Sequence, residues 1–234
     1  MDILENIDPA PTCRRCGACC LKGGPALHAE DLPLFAAQGP LGLAHVVTLR
    51  AGEPAFDQVR GEVRPLAAEL VKLRGAGSAW TCALYDRAAG ACTLYAARPA
   101  ECRALDCRDV SALAAMYETN RLARKDFFTP GHGLLAVMAE HDALVPAGRI
   151  PALARALRAG GQDALDAGEA LTRMALADQA FRKALAERAG VAPDLHDFIL
   201  GRTAAALFAA AGLCLRADVR SGLRVQPDPL WREA

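Results

Sequence analysis

The sequence predicts an α+β protein: an irregular, cysteine-rich domain with short hairpins, followed by a mainly helical region. Three observations predict it. Eight of the nine cysteines precede Asp109 and fall in tight groups. The same half holds short segments bounded by Gly, Pro and Asp, as brief strands and turns are. From Leu134 onward the composition becomes alanine-rich, and apolar residues recur at helical spacing. The expected division is a cysteine-cluster metal-binding domain over 1–127 and a helical region with a terminal hairpin over 128–234.

The elements follow in order. Cys13-Arg14-Arg15-Cys16-Gly17-Ala18-Cys19-Cys20 opens the ordered part, and Gly23-Gly24-Pro25 turns the chain away. His28–Ala37 reads as a short helix stopped by Gly39 and Pro40. Val46-Val47-Thr48-Leu49 is β-branched enough for a short strand. The apolar segment Arg64–Arg74 fits a helix or a partly extended chain. Two short runs about Arg87–Ala91 read as one hairpin that brings Cys82 and Cys92 together near its turn. Val110–Arg124 has helical spacing in Leu113, Met116, Tyr117 and Leu122. Further helices are expected at Leu134–Asp142, Ile150–Ala159, Ala164–Ala189 and Pro193–Ala211. Leu171, Met174, Phe181 and Leu185 share one face of the third of these, and Asp194 is the expected N-cap of the fourth. Leu213–Ala217 and Leu223–Gln226 pair as a hairpin around Ser221-Gly222.

Composition narrows the function. With 53% hydrophobic residues, the chain can bury a core without help from a ligand. The 27 basic and 27 acidic residues balance, which removes the electrostatic footprint of a nucleic-acid binder. The richest apolar run, Thr203–Leu215, is too short and too alanine-rich for a membrane span. The start, MDILENIDPAP, has neither the basic nor the apolar run of a secretory signal, so the expected location is the cytoplasm.

In a reducing compartment nine cysteines do not read as disulfides. The grouping of eight of them argues against scattered core cysteines and favours thiolate ligands for a soft metal; redox-active thiols are the competing use. The candidate ligands are Cys13, Cys16, Cys19, Cys20, Cys82, Cys92, Cys102 and Cys107. Cys-x2-Cys spacing lets a short loop aim two thiolates at one centre. Cys20 follows Cys19 directly, and no Cys-Pro comes three residues later, so the run departs from the bacterial ferredoxin pattern. Zinc and iron, a 4Fe–4S cluster included, both remain open. Eight thiols suffice for one centre with spares, for two centres, or for a polynuclear one. Cys214 stands alone in an apolar context and reads as a packed thiol.

Taken together, Cys13–Cys20, Trp80-Thr81-Cys82-Ala83-Leu84-Tyr85-Asp86, Cys92-Thr93-Leu94-Tyr95, Arg98-Pro99 and Glu101-Cys102-Arg103 followed by Cys107 resemble the bacterial CxxCxxCC cysteine-cluster family. The resemblance covers about residues 12–110 and implies chelation of zinc or iron by these cysteines. Some flagellin lysine methylases are similar in their cysteine pattern, which implies an alternative: an iron–sulfur enzyme transferring a methyl group or an electron to a protein substrate. No glycine-rich nucleotide loop accompanies that likeness. A structural zinc module that presents the helices to a protein partner is the third expectation.

Arg98 and Arg103 flank Cys102 and are candidates to offset thiolate charge and donate to sulfur. Tyr85 and Tyr95 alternate with the cysteines and either shield the centre or pack in the core. Of the five histidines, His28 lies nearest the first cysteine group. Asp106 and Asp109 are expected to bond backbone near Cys107.

Overall fold

The computed structural model describes residues 13–77, 80–219 and 222–231. The acidic start of the chain and Ser221 of the terminal turn lie outside them. In chain order the strands are β1 (Val46–Leu49), β2 (Pro54–Asp57), β3 (Glu62–Pro65), β4 (Leu70–Leu73), β5 (Gly75–Ala76), β6 (Thr81–Cys82), β7 (Tyr85–Asp86), β8 (Ala91–Cys92), β9 (Leu213–Asp218) and β10 (Gly222–Pro227). The helices are α1 (Ala100–Ala104), α2 (Ser111–Met116), α3 (Gly133–Leu144), α4 (Ile150–Ala159), α5 (Gln162–Glu187), α6 (His196–Ile199) and α7 (Ala204–Ala210). Short antiparallel hairpins thus precede a mainly helical region, as the sequence predicts. The chain forms two compact units, one from Met1–His45 with Leu73–Leu122, the other from Val46–Lys72 with Ala123–Ala234.

In the first unit every element is brief. Ala29–Phe35 is a run of 3-10 turns rather than an α-helix, because Pro33 sits inside it and offers no N–H. Leu27 and Leu122 are buried and joined by a Leu122 N–H to Leu27 carbonyl bond of 2.8 Å; with the bridge between His28 and Arg121, they make a short antiparallel ladder. The single hairpin expected around Arg87 is replaced by two. Cys82 pairs across from Gly75 in β5–β6, and Cys92 pairs across from Tyr85 in β7–β8. The helix expected over Val110–Arg124 stops at Met116, and Asn120 takes a left-handed φ of 50° before the ladder begins.

The second unit has an apolar core of its own. Val145, Ile150, Leu171, Met174, Leu207, Phe208, Leu213 and Val225 pack together, drawing on α4, α5, α7 and the β9–β10 hairpin. The α5 residues Leu171, Met174 and Leu185 are buried on one face, as their spacing predicts. β9 and β10 pair with Leu213 opposite Pro227 and Gly222 opposite Asp218. The single helix expected over Pro193–Ala211 is broken between α6 and α7 at Gly201, whose φ of 75° no helix accepts. Asp194 lies inside the leading 3-10 turn rather than capping it. The side-chain cap is Thr203, whose hydroxyl accepts from Ala206 N–H at 3.1 Å and starts α7.

A buried polar network runs beside that core. Asp178 accepts from His141 Nε2 (3.0 Å), Arg182 Nε (3.1 Å) and Ala204 N–H (2.9 Å), so one carboxylate joins α3, α5 and the start of α7. Arg50 donates to the Val145 carbonyl at 2.8 Å, and Arg124 pairs with both Glu69 and Asp142. Burial pushes the Asp178 carboxyl up, but the His141 bond and the Arg182 guanidinium outweigh it and hold the group below the usual carboxylate range. No helix among the described residues is long and apolar enough to cross a membrane.

Removing the centre of this network leaves buried donors without an acceptor. Asp178→Ala is expected to cost about 3–5 kcal/mol in urea unfolding monitored by circular dichroism, and Asp178→Asn less, since the amide oxygen still accepts.

Candidate metal centre

The first cysteine group lies on a tight loop. Arg15 (φ 55°) and Gly17 (φ 73°) both take left-handed conformations, and Gly17 carbonyl accepts from Leu21 N–H at 2.9 Å. Gly17 also has no room for a side chain, because a Cβ there would run into the Tyr85 ring and hydroxyl. The loop passes into a 3-10 turn at Cys20–Lys22, and β6 packs against that turn, which sets Cys82 beside Cys20. The Sγ atoms of Cys19 and Cys20 stand 4.0 Å apart.

The second group comes from the two small hairpins. Trp80 takes φ 53° ahead of β6, and Arg87 Nη2 donates to the Thr81 hydroxyl at 2.7 Å. Thr93 N–H reaches the Leu84 carbonyl at 2.9 Å and extends the β7–β8 pairing beyond Cys92. Cys82 is buried and Cys92 half-buried.

Cys102 sits on α1, a five-residue helix whose N-cap, Pro99, supplies no side-chain acceptor. So short a helix does not hold itself together. Neighbouring carboxylates hold it instead. Asp31 Oδ1 accepts from Ala100 N–H (2.8 Å) while its Oδ2 accepts from His28 N–H (3.0 Å). Glu101 Oε2 accepts from Ala26 N–H (2.9 Å), and its Oε1 lies 3.3 Å from His28 Nε2. His28 Nδ1 is 2.7 Å from the Thr119 carbonyl. His28 is therefore committed to Thr119 and Glu101 rather than turned to the cysteines. Burial raises the Asp31 carboxyl against the pull of its two amide donors. The Glu101 contact raises the His28 imidazole above its ordinary value in spite of burial.

Two of the cysteines, Cys20 and Cys102, have thiols raised by burial and by the same neighbouring sulfurs. Burial pushes the Cys20 thiol up to about 12, and Cys19, Cys82 and Cys92 add to the rise. Burial also raises the Cys102 thiol strongly, reinforced by Cys82, Cys19, Cys20 and Cys92. In each case a thiolate is opposed first by lost hydration and then by neighbours that cannot share the negative charge.

Cys13 is half-buried and its sulfur accepts from Arg15 N–H at 3.4 Å; Cys16 and Cys107 are exposed. Arg103 donates to the Arg98 carbonyl at 2.8 Å and lies 3.4 Å from Glu30, while the Arg98 guanidinium stacks 4.1 Å from the centroid of Tyr95. Arg15 stacks on the same ring at 3.8 Å, and the Tyr95 hydroxyl donates to the Cys13 carbonyl at 3.4 Å. Asp106 and Asp109 accept from Arg108 and Ser111 N–H, each at 2.9 Å, the local backbone role expected of them. Cys214 is on β9 in the second unit, 3.9 Å from the Pro227 carbonyl. Sequence reasoning passed over Glu101 and Asp31. Their only signal is position: Glu101 is adjacent to a cysteine, and Asp31 stands three residues after His28.

The donor chemistry suits a soft cation, since thiolates are the preferred ligands of zinc and of iron–sulfur centres. Among the described residues no three His, Cys, Asp or Glu side chains already form a closed coordination set. The sulfurs of the inner five would have to draw together around an ion.

A CxxCxxCC domain, of the family described as "Putative zinc- or iron-chelating domain", is found over residues 12–119. That span runs from beside Cys13 to Thr119, the partner of His28. No curated protein and no solved structure matches the chain.

Two measurements follow from these environments. Because the thiolate is the reacting species, alkylation of metal-free protein at pH 8 should label Cys16 and Cys107 at least tenfold faster than Cys20 and Cys102, as read by peptide mass spectrometry. The raised His28 pKa gives a contribution to stability that is complete below about pH 6.5 and fades as pH rises through the higher folded-state value. Thermal melts of metal-free protein should show that loss, and His28→Asn should flatten it.

Proposed function

We propose that this protein chelates zinc or iron through the clustered thiolates of its first unit. Cys19, Cys20, Cys82, Cys92 and Cys102 are the inner ligands; Cys13, Cys16 and Cys107 complete the set of candidates. The observation that carries the reading is the shared electrostatic neighbourhood of five cysteines drawn from three separate stretches of chain. Raised thiols in such a place are unfavourable as free thiolates and become favourable once a cation offsets their charge, with release of the protons they hold.

The vicinal pair supports it further. Tetrahedral zinc with sulfur ligands at about 2.3 Å has an S···S edge of about 3.8 Å, close to the 4.0 Å between Cys19 and Cys20. Neighbouring cysteines are thus spaced for one ion, an arrangement the adjacent positions alone do not imply. Ligands from position 19 to position 102 close long loops, so chelation and ordering of the first unit are coupled. The reading takes a reducing compartment, the cytoplasm, as the place of work.

Anaerobic purification followed by metal analysis and absorption spectroscopy tests it. Iron with acid-labile sulfide and broad visible absorbance identifies a cluster, and colourless protein with stoichiometric zinc identifies a zinc site. Cys20→Ser, Cys16→Ser and Cys102→Ser should each lower metal content and loosen the first unit, whereas Cys214→Ser should leave metal content unchanged. Freshly isolated protein lacking both metals would refute the reading.

A further inference from the structure

Glu101 precedes Cys102 in the chain and is mostly shielded. Both its oxygens are spent on the strand of chain that follows the first cysteine group: Oε2 on Ala26 N–H at 2.9 Å, Oε1 on His28 Nε2 at 3.3 Å. His28 is 1% exposed and passes the constraint on to the Thr119 carbonyl at 2.7 Å. Asp31, 0% exposed, adds a parallel tie from His28 N–H to Ala100 N–H. Three polar side chains, buried His28 and Asp31 and the mostly shielded Glu101, are therefore held between three backbone segments, and each has its partner inside the same unit. Burying them costs free energy that a plain apolar contact would not. What the network delivers for that cost is position: it fastens the short helix that carries Cys102 to the segment leading away from Cys19 and Cys20.

We propose that Glu101, with His28 as its support, is the positioning residue that holds Cys102 in the inner thiol set. Without the Glu101 tie α1 keeps the Asp31 bond to Ala100 N–H at its start and one turn of its own hydrogen bonds, too little to fix a sulfur to within a fraction of an ångström. Supporting partners of this kind change metal affinity by roughly 10- to 100-fold when removed. The proposal rests on the chelation reading for its purpose, and the tie itself is tested apart from it, in protein stripped of metal.

The experiment uses the full chain in two states. In metal-free protein, iodoacetamide labelling is followed residue by residue in the wild type, Glu101→Ala, Glu101→Gln and His28→Asn. Glu101→Ala should raise the rate at Cys102 about tenfold and leave Cys214 unchanged. Glu101→Gln keeps an oxygen for Ala26 N–H and should restore most of the protection. His28→Asn keeps a donor near Thr119 but loses the contact to Glu101, and should raise the Cys102 rate to an intermediate value. The same proteins are then titrated with cobalt(II), whose sulfur-to-metal absorption counts bound thiolates. Glu101→Ala should bind about tenfold more weakly and with one thiolate fewer.

Unchanged labelling at Cys102 in a folded Glu101→Ala protein overturns the proposal. If Glu101→Ala unfolds, shown by Cys214 also becoming reactive, His28→Asn decides, and a wild-type Cys102 rate there overturns it. Wild-type protein that takes up no cobalt through sulfur, while Cys102 still responds to Glu101→Ala, refutes chelation and leaves the tether standing.

Discussion

Negative charge on crowded sulfur is the constraint around which the first unit is built. Burial raises the Cys20 and Cys102 thiols, and Cys19, Cys82 and Cys92 add to the rise at both. Water cannot stabilise several thiolates in that space, and an arginine does not do so here. Arg98 is stacked on Tyr95, and Arg103 is directed to a carbonyl and to Glu30. Burial and neighbouring sulfurs keep Cys20 and Cys102 in the neutral thiol form, and the CxxCxxCC domain match over residues 12–119 links the unit to zinc or iron chemistry.

The same constraint explains why the unit is made of such short pieces. Two-residue strands and a five-residue helix bury little apolar area and have weak intrinsic stability. Order comes from a few buried polar ties, above all Glu101 to Ala26 and His28, and Asp31 to Ala100. Each tie joins segments far apart in sequence and leaves its carboxylate satisfied, which is the condition for burying it.

The second unit is organised differently. Its helices and terminal hairpin share an apolar core, and its buried charges are matched one against another instead of being left for a ligand. Asp178 illustrates the design: the carboxylate receives a histidine, an arginine and the first N–H of a helix, so it remains ionised although buried.

By itself the sequence determined what depends on local pattern. The α+β class, the strand at Val46–Leu49, the helices α3, α4 and α5 and the terminal hairpin were legible, because apolar periodicity and turn residues act within a few positions. The grouping of eight cysteines before Asp109 was legible in the same way, as the CxxCxxCC domain found over residues 12–119. Only the tertiary structure decided which thiols face one another. Cys82 and Cys92, expected on one hairpin, lie on two, because Cys82 pairs back to Gly75 and leaves Tyr85 to pair with Cys92. It also decided the roles of His28, Asp31 and Glu101, whose partners are contacts between remote segments. No spacing rule records such contacts, since they exist only once the chain has closed on itself.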